Sequence, residues 1–203
     1  MVGEYRTLAG PGAGQYLDRR SRFLGFAWPV ASGAEVEAQL TALRGVHHAA
    51  RHICYAYVLG PEGAEWRAND DGEPSGTGGR PILGVLRSRG LTEALVAVVR
   101  YFGGIKLGVP GLIAAYRGAA EVAVTAAGEQ MRTVEHDYIV EFDYAVQHEV
   151  VRVVKATSGR VMDADYGVHG RVVVRWPVGE VQAAEGQLTP LVSRFEALES
   201  GAN

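Results

Sequence analysis

The sequence predicts an α+β chain of two domains, residues 1–133 and residues 134–203. Three observations lead there. Stretches with the two-residue period of a strand alternate with stretches of helical period along the whole length. Charge changes sign at the boundary: residues 1–133 hold 14 Arg and Lys against 12 Asp and Glu (+2), residues 134–203 hold 6 against 11 (−5), and the totals of 20 and 23 give a net −3. The acidic part reads strand, helix, strand, strand, helix, strand, which is the ferredoxin-like split βαββαβ unit.

In the first domain, residues 22–30 read as a strand stopped near Pro29. Residues 34–44 set Val36, Leu40 and Leu43 on one helical face, and Gly45 caps its C-terminus. Residues 53–59 alternate and are rich in aromatics, a strand, whereas residues 60–80 read as loop by composition. Pro81 suits the first turn of a helix, where its missing N–H costs nothing, and Gly90 ends that helix. Residues 95–101 read as a buried strand. A long helix opens at Pro110 or Gly111 and runs to about Ala127, with Leu112, Ala115, Tyr116, Ala119, Val122 and Ala123 as its buried stripe.

Residues 131–137 read as a junction. Residues 138–144 then alternate as a strand, and Val146, Val150, Val153, Val154 and Thr157 share a helical face ended by Gly159. Residues 160–166 and 171–178 form a hairpin around Gly167 and Gly170. Residues 181–195 hold a second helix and residues 195–198 a closing strand.

With 203 residues, 47% hydrophobic and 21% charged, each domain has the material for a core. No apolar run approaches the ~18 residues of a membrane span, and the N-terminus lacks a basic-then-apolar signal pattern. We expect a cytoplasmic protein with no membrane contact. The single cysteine, Cys54, excludes an internal disulfide and a cysteine-based zinc site, and it reads as a small buried hydrophobe. Neither domain has the positive excess of a nonspecific DNA binder, so any polyanion site is a local patch.

Two glycine-rich segments carry the functional signal. The first, RANDDGEPSGTGGRPIL (67–83), leads into a helix N-terminus, whose first N–H groups have no internal partner and favour anions. Gly76, Gly78 and Gly79 allow close approach, and Ser75, Thr77 and Arg80 add donors: the pattern of a phosphate cradle, though neither a P-loop nor a dinucleotide fingerprint. Upstream, Asp70, Asp71 and Glu73 read either as ligands of a hard cation or as caps of turn amides. The second segment, RYFGGIKLGVPG (100–111), interleaves Arg100 and Lys106 with Tyr101 and Phe102 around Gly103, Gly104 and Gly108. That mixture suits single-stranded or looped nucleic acid, or else core packing of the aromatics. His47, His48 and His52 lack metal-site spacing on one helix, and Ser75 has no base beside it.

DDGEPSGTGGRPIL (70–83), RYFGGIKLG (100–108), Gly111-Leu112 and Tyr116 closely resemble the YigZ/IMPACT family, and SRFLGFAWPV (21–30) and HICYAY (52–57) resemble its entry strand and the strand after it. The resemblance covers nearly all of residues 17–125. The acidic half resembles the small C-terminal domain of bacterial members. The resemblance implies a first domain with the two-layer fold of ribosomal-protein and elongation factor G modules, and a second similar to the last domain of elongation factor G. It implies a role in translation, since eukaryotic members regulate translation by binding a partner in an initiation-factor-kinase pathway. For bacterial members, nucleic-acid or ribosome association is inferred. A proline dipeptidase label attached to some relatives finds no support in the spacing. The chain departs from the family at Val109-Pro110, where a small residue and glycine are usual; proline removes one N–H and fixes φ.

We therefore expect a translation-associated regulator that binds RNA or the ribosome through Ser75, Gly76, Thr77, Gly78, Gly79, Arg80, Arg100, Gly103, Gly104, Lys106 and Arg117, with no cofactor or bound metal. Two alternatives stay open: a metal-assisted enzyme acting on a phosphorylated small molecule through Asp70, Asp71 or Glu73, and a protein-interaction module. No catalytic residue is assigned.

Overall fold

The computed structural model describes residues 3–198; residues 1–2 and 199–203, the outer ends of the two expected domains, lie outside the described residues. The chain divides into two compact units, Glu4–Arg132 and the part from Thr133 onward, which also takes in Gly3.

The first unit runs β1 (Glu4–Leu8), β2 (Gly12–Asp18), β3 (Ser21–Pro29), α1 (Gly33–Val46), β4 (His52–Leu59), β5 (Glu65–Asn69), α2 (Gly79–Ser88), β6 (Ala94–Tyr101), α3 (Gly108–Ala127) and β7 (Glu129–Thr133). Five strands form an antiparallel sheet in the order β2-β3-β6-β4-β5, and β1 pairs with β7 separately. β6 lies at the centre because both of its faces are apolar. Val96 and Val98 pack with Phe23, Cys54 and Ala56 beneath α2 and α3. Leu95, Ala97 and Val99 face the other way, toward Val36 and Leu43 of α1. The sheet with α2 and α3 makes the two main layers, and α1 adds cover on the opposite face.

Some expectations change here. β5 lies inside the stretch expected to be loop; its sequence, EWRAN, is exposed or half-buried throughout and has no apolar alternation. β7 runs into the expected junction of residues 131–137, and the next strand, from Glu135, begins inside it. Val122 is 41% exposed rather than part of the buried stripe, because it sits beside Gly14 on β2, where the sheet ends.

The second unit runs β8 (Glu135–Phe142), a 3-10 turn at Tyr144–Val146, α4 (Gln147–Ala156), β9 (Arg160–Tyr166), β10 (Gly170–Pro177), α5 (Val178–Leu188) and β11 (Arg194–Ala197). The sheet order β11-β8-β10-β9 is that of the ferredoxin-like unit. The second helix ends at Leu188, well short of residue 195, as Pro190 cannot continue it. Trp176 anchors the core and donates Nε1–H to Thr157 Oγ1 at 2.9 Å. β9, an edge strand, is exposed at every position. Among the described residues no helix is long and apolar enough to cross a membrane.

Candidate nucleic-acid interface

The first glycine segment turns from β5 into α2, and Asp70 holds the turn. One carboxylate oxygen accepts from the N–H groups of Gly78 and Gly79 (2.9 and 2.8 Å), and the other accepts from Gly76 N–H (2.8 Å). A carboxylate at a helix N-terminus satisfies the same orphan donors that a phosphate would. The expectation that the amides of Gly76, Gly78 and Gly79 face a phosphate is therefore corrected: the chain fills its own cradle. Burial opposes ionisation of Asp70, but the three amide bonds outweigh it and hold the carboxyl below its ordinary range. Gly79 is required by close approach, since a Cβ there would collide with the Asn69 backbone. Thr77 is buried and spends its hydroxyl on Pro74 O (2.6 Å), so it is no ligand donor; Ser75 is exposed.

The other carboxylates are also engaged. Asp71 Oδ2 accepts from Ile53 N–H (2.7 Å) and Arg44 Nη2 (3.0 Å). Glu73 Oε1 accepts from Arg100 Nη1 (2.5 Å) and Tyr116 Oη (2.9 Å). Among the described residues no group of three or more His, Cys, Asp or Glu side chains is arranged to hold a metal ion. The metal-assisted alternative thus loses its proposed ligands. His47 Nδ1 pairs with Tyr101 Oη and His52 Nδ1 with Asp71 O, which ties both to structure.

The Glu73–Arg100 pair joins the two segments, and it is buried: the side chains are 4% and 10% exposed. The guanidinium lies between Phe23 and Phe102, 5.5 Å from each ring centroid, and its Nε has no hydrogen-bond partner. Burial foremost, then Cys54 and Glu73, pushes the Tyr116 hydroxyl up, so it serves as a neutral donor. Burial likewise pushes the Cys54 thiol up to about 12.

Over this pair opens a cleft of about 880 Å³. Its walls are Arg51 and His52 at the start of β4, Pro74, Tyr101 and Phe102 at the end of β6, and Lys106 to Val109 with Leu112 at the start of α3. No side chain caps α3, and Pro110 has no N–H, so the free first-turn amides belong to Gly108 and Val109. The antiparallel register sets Arg22 opposite Tyr101 and His52 opposite Arg100, which gathers three strand ends at one edge of the cleft.

Of the expected residues, Arg100 and Lys106 line the cleft, Lys106 exposed and Arg100 as part of its floor. Arg100 is a neutralised cation rather than a free one, which corrects its role as an exposed anion contact. Gly103 packs on the Arg20 backbone and donates its N–H to Ser21 Oγ (3.2 Å), so that amide is spent too. Gly104 is exposed in open space at φ +88°. Arg80 and Arg117 are exposed but do not line the cleft. Sequence reasoning singled out neither Arg51, which lines the cleft, nor Arg22, which stacks on its Tyr101 wall, and their one visible signal is a cation at the start of a strand or just before it.

The model of the Impact N-terminal domain family matches residues 19–124. IMPACT family member YigZ of Escherichia coli (strain K12) is 31% identical over 172 residues, 84% of each chain. IMPACT family member YvyE of Bacillus subtilis (strain 168) is 42% identical over 116 residues, 57% of this chain and 54% of that protein, so this match spans about half of the relative. A crystal structure described as that of a hypothetical protein aligns with a TM-score of 0.73 and 28% identity, covering 98% of this chain and 100% of that one.

Proposed function

The chain belongs to the IMPACT family, and from that membership we propose that it is a cytoplasmic, translation-associated protein that binds single-stranded or looped RNA in the cleft at the N-terminus of α3. One observation carries the reading: the same cleft holds the exposed cations Lys106 and Arg51, the rings of Tyr101 and Phe102, and an uncapped helix N-terminus. Cations neutralise phosphates, aromatic faces stack on unpaired bases, and first-turn amides accept an anion. A volume of about 880 Å³ admits a nucleotide. The translational setting is supported by the family's eukaryotic members, which regulate translation. Arg80 and Arg117 are assigned to phosphate contacts beyond the cleft.

The test is fluorescence anisotropy with labelled dodecauridylate. Lys106→Ala with Arg51→Ala is expected to weaken binding about tenfold or more at low salt. It should also reduce the slope of log affinity against log salt by about 1.4, or 0.7 for each single-strand phosphate released. An unchanged affinity, or wild-type binding that ignores salt, rejects the reading.

A further inference from the structure

We propose that the Arg19-Arg20 turn between β2 and β3 is a second RNA-contacting element, which takes the phosphate backbone as it leaves the cleft. This rests on the RNA reading above. Asp18 and Ser21 face each other across the hairpin, so Arg19 and Arg20 form a two-residue loop. Their φ values are +43° and +66°. A two-residue loop with both φ positive is of the type I′ class, which favours Asn-Gly because side chains are disfavoured at those angles. Among the described residues this is the only adjacent pair of non-glycine residues with positive φ. Strain of this kind persists where the surroundings impose it or where function retains it.

Packing gives these side chains no reason to be arginine. Both are exposed, and neither forms an ion pair among the described residues. Asp18 is the only acidic residue in β2 and β3. The position of the turn is fixed by the second glycine segment. Gly103 lies against the Arg20 backbone and donates to Ser21 Oγ, and Arg22 stacks over Tyr101 at 5.2 Å. Tyr101 is itself a wall of the cleft. Arg19, Arg20 and Arg22 therefore continue the line of cations from the cleft, and unpaired guanidinium forks bind phosphate oxygens in bidentate fashion.

The test is the double variant R19N/R20G, which installs the pair this turn prefers. Its Tm is expected to rise by a few degrees, because the strain is relieved. Its affinity for labelled dodecauridylate is expected to fall about tenfold, with the salt slope lower by about 1.4. R6Q/R132Q removes the same charge from β1 and β7 and should leave affinity within about twofold. Unchanged affinity in R19N/R20G, a loss no greater than that of R6Q/R132Q, or a loss accompanied by a lower Tm overturns the inference. If R19N/R20G keeps its affinity while Lys106→Ala with Arg51→Ala loses it, the turn alone is excluded. If the wild type does not bind the probe, the cleft and the turn fall together.

Discussion

Asp70 and Glu73 sit three residues apart and do opposite work. Asp70 accepts from backbone amides, whereas Glu73 neutralises a guanidinium. Asp70→Ala leaves three amides without an acceptor at the start of α2 and is expected to cost about 1–2 kcal/mol in urea denaturation. Because the native carboxyl is held below its ordinary range, its contribution is fully present above the unfolded value of about 3.9 and is lost as pH falls through the native one. Asp137, held down chiefly by its hydrogen bonds from Arg175, behaves alike in the second unit. Asp70→Asn should therefore flatten the fall in urea midpoint below about pH 4. Glu73→Ala strands Arg100 in a buried site and is expected to cost about 3–5 kcal/mol. Tyr116→Phe, which removes one hydrogen bond, should cost about 1 kcal/mol. Equal losses in the two would mean that the ion pair contributes nothing of its own.

At the scale of elements, the first unit depends on strands and helices meeting backbone to backbone. A Cβ at Gly25 of β3 would collide with the carbonyl of Ala119 in α3. Gly25→Ala is expected to destabilise by about 1–3 kcal/mol, measured by guanidinium denaturation, through separation of the two layers. The elements that read clearly in the sequence are those whose own residues fix their burial. β6 is apolar at every position to Val99, and most of the α3 stripe points inward as its spacing requires. β2, with its three-residue GAG start, and β5, with EWRAN, are strands only because a neighbour supplies the ladder, so their residues carry little period of their own. The candidate site divides the same way. Lys106, Tyr101 and Phe102 were legible because they are local to one segment. Arg22 and Arg51 were not, since they arrive through the register of β3 and β4 against β6. The glycine turn before α2 was legible as a place for an anion. That the anion is Asp70 depends on how the loop folds back, which spacing does not specify.

At the scale of the whole molecule, each unit has its own core, and the first contains the single thiol. Cys54 has no exposed surface, and burial pushes its thiol up to about 12. Iodoacetamide should therefore label the native chain at least about 10³-fold more slowly than the urea-unfolded chain, which makes labelling a measure of how often the first unit opens. In the second unit, β9 presents Val161, Met162 and Tyr166, each about half exposed, along an edge strand that is paired on one side only, with β10. Such an edge is a template on which another extended chain can crystallise into a growing sheet. Asp163 and Asp165 stand on the same strand as gatekeepers, putting like charge against any copy that tries to add. Replacing both with valine should produce concentration-dependent assembly visible by light scattering, while the wild type under the same conditions stays unchanged. The two aspartates, part of the acidic excess of residues 134–203, then act as colloidal protection, a safeguard against fibre growth placed on the one strand that ends the sheet at this side.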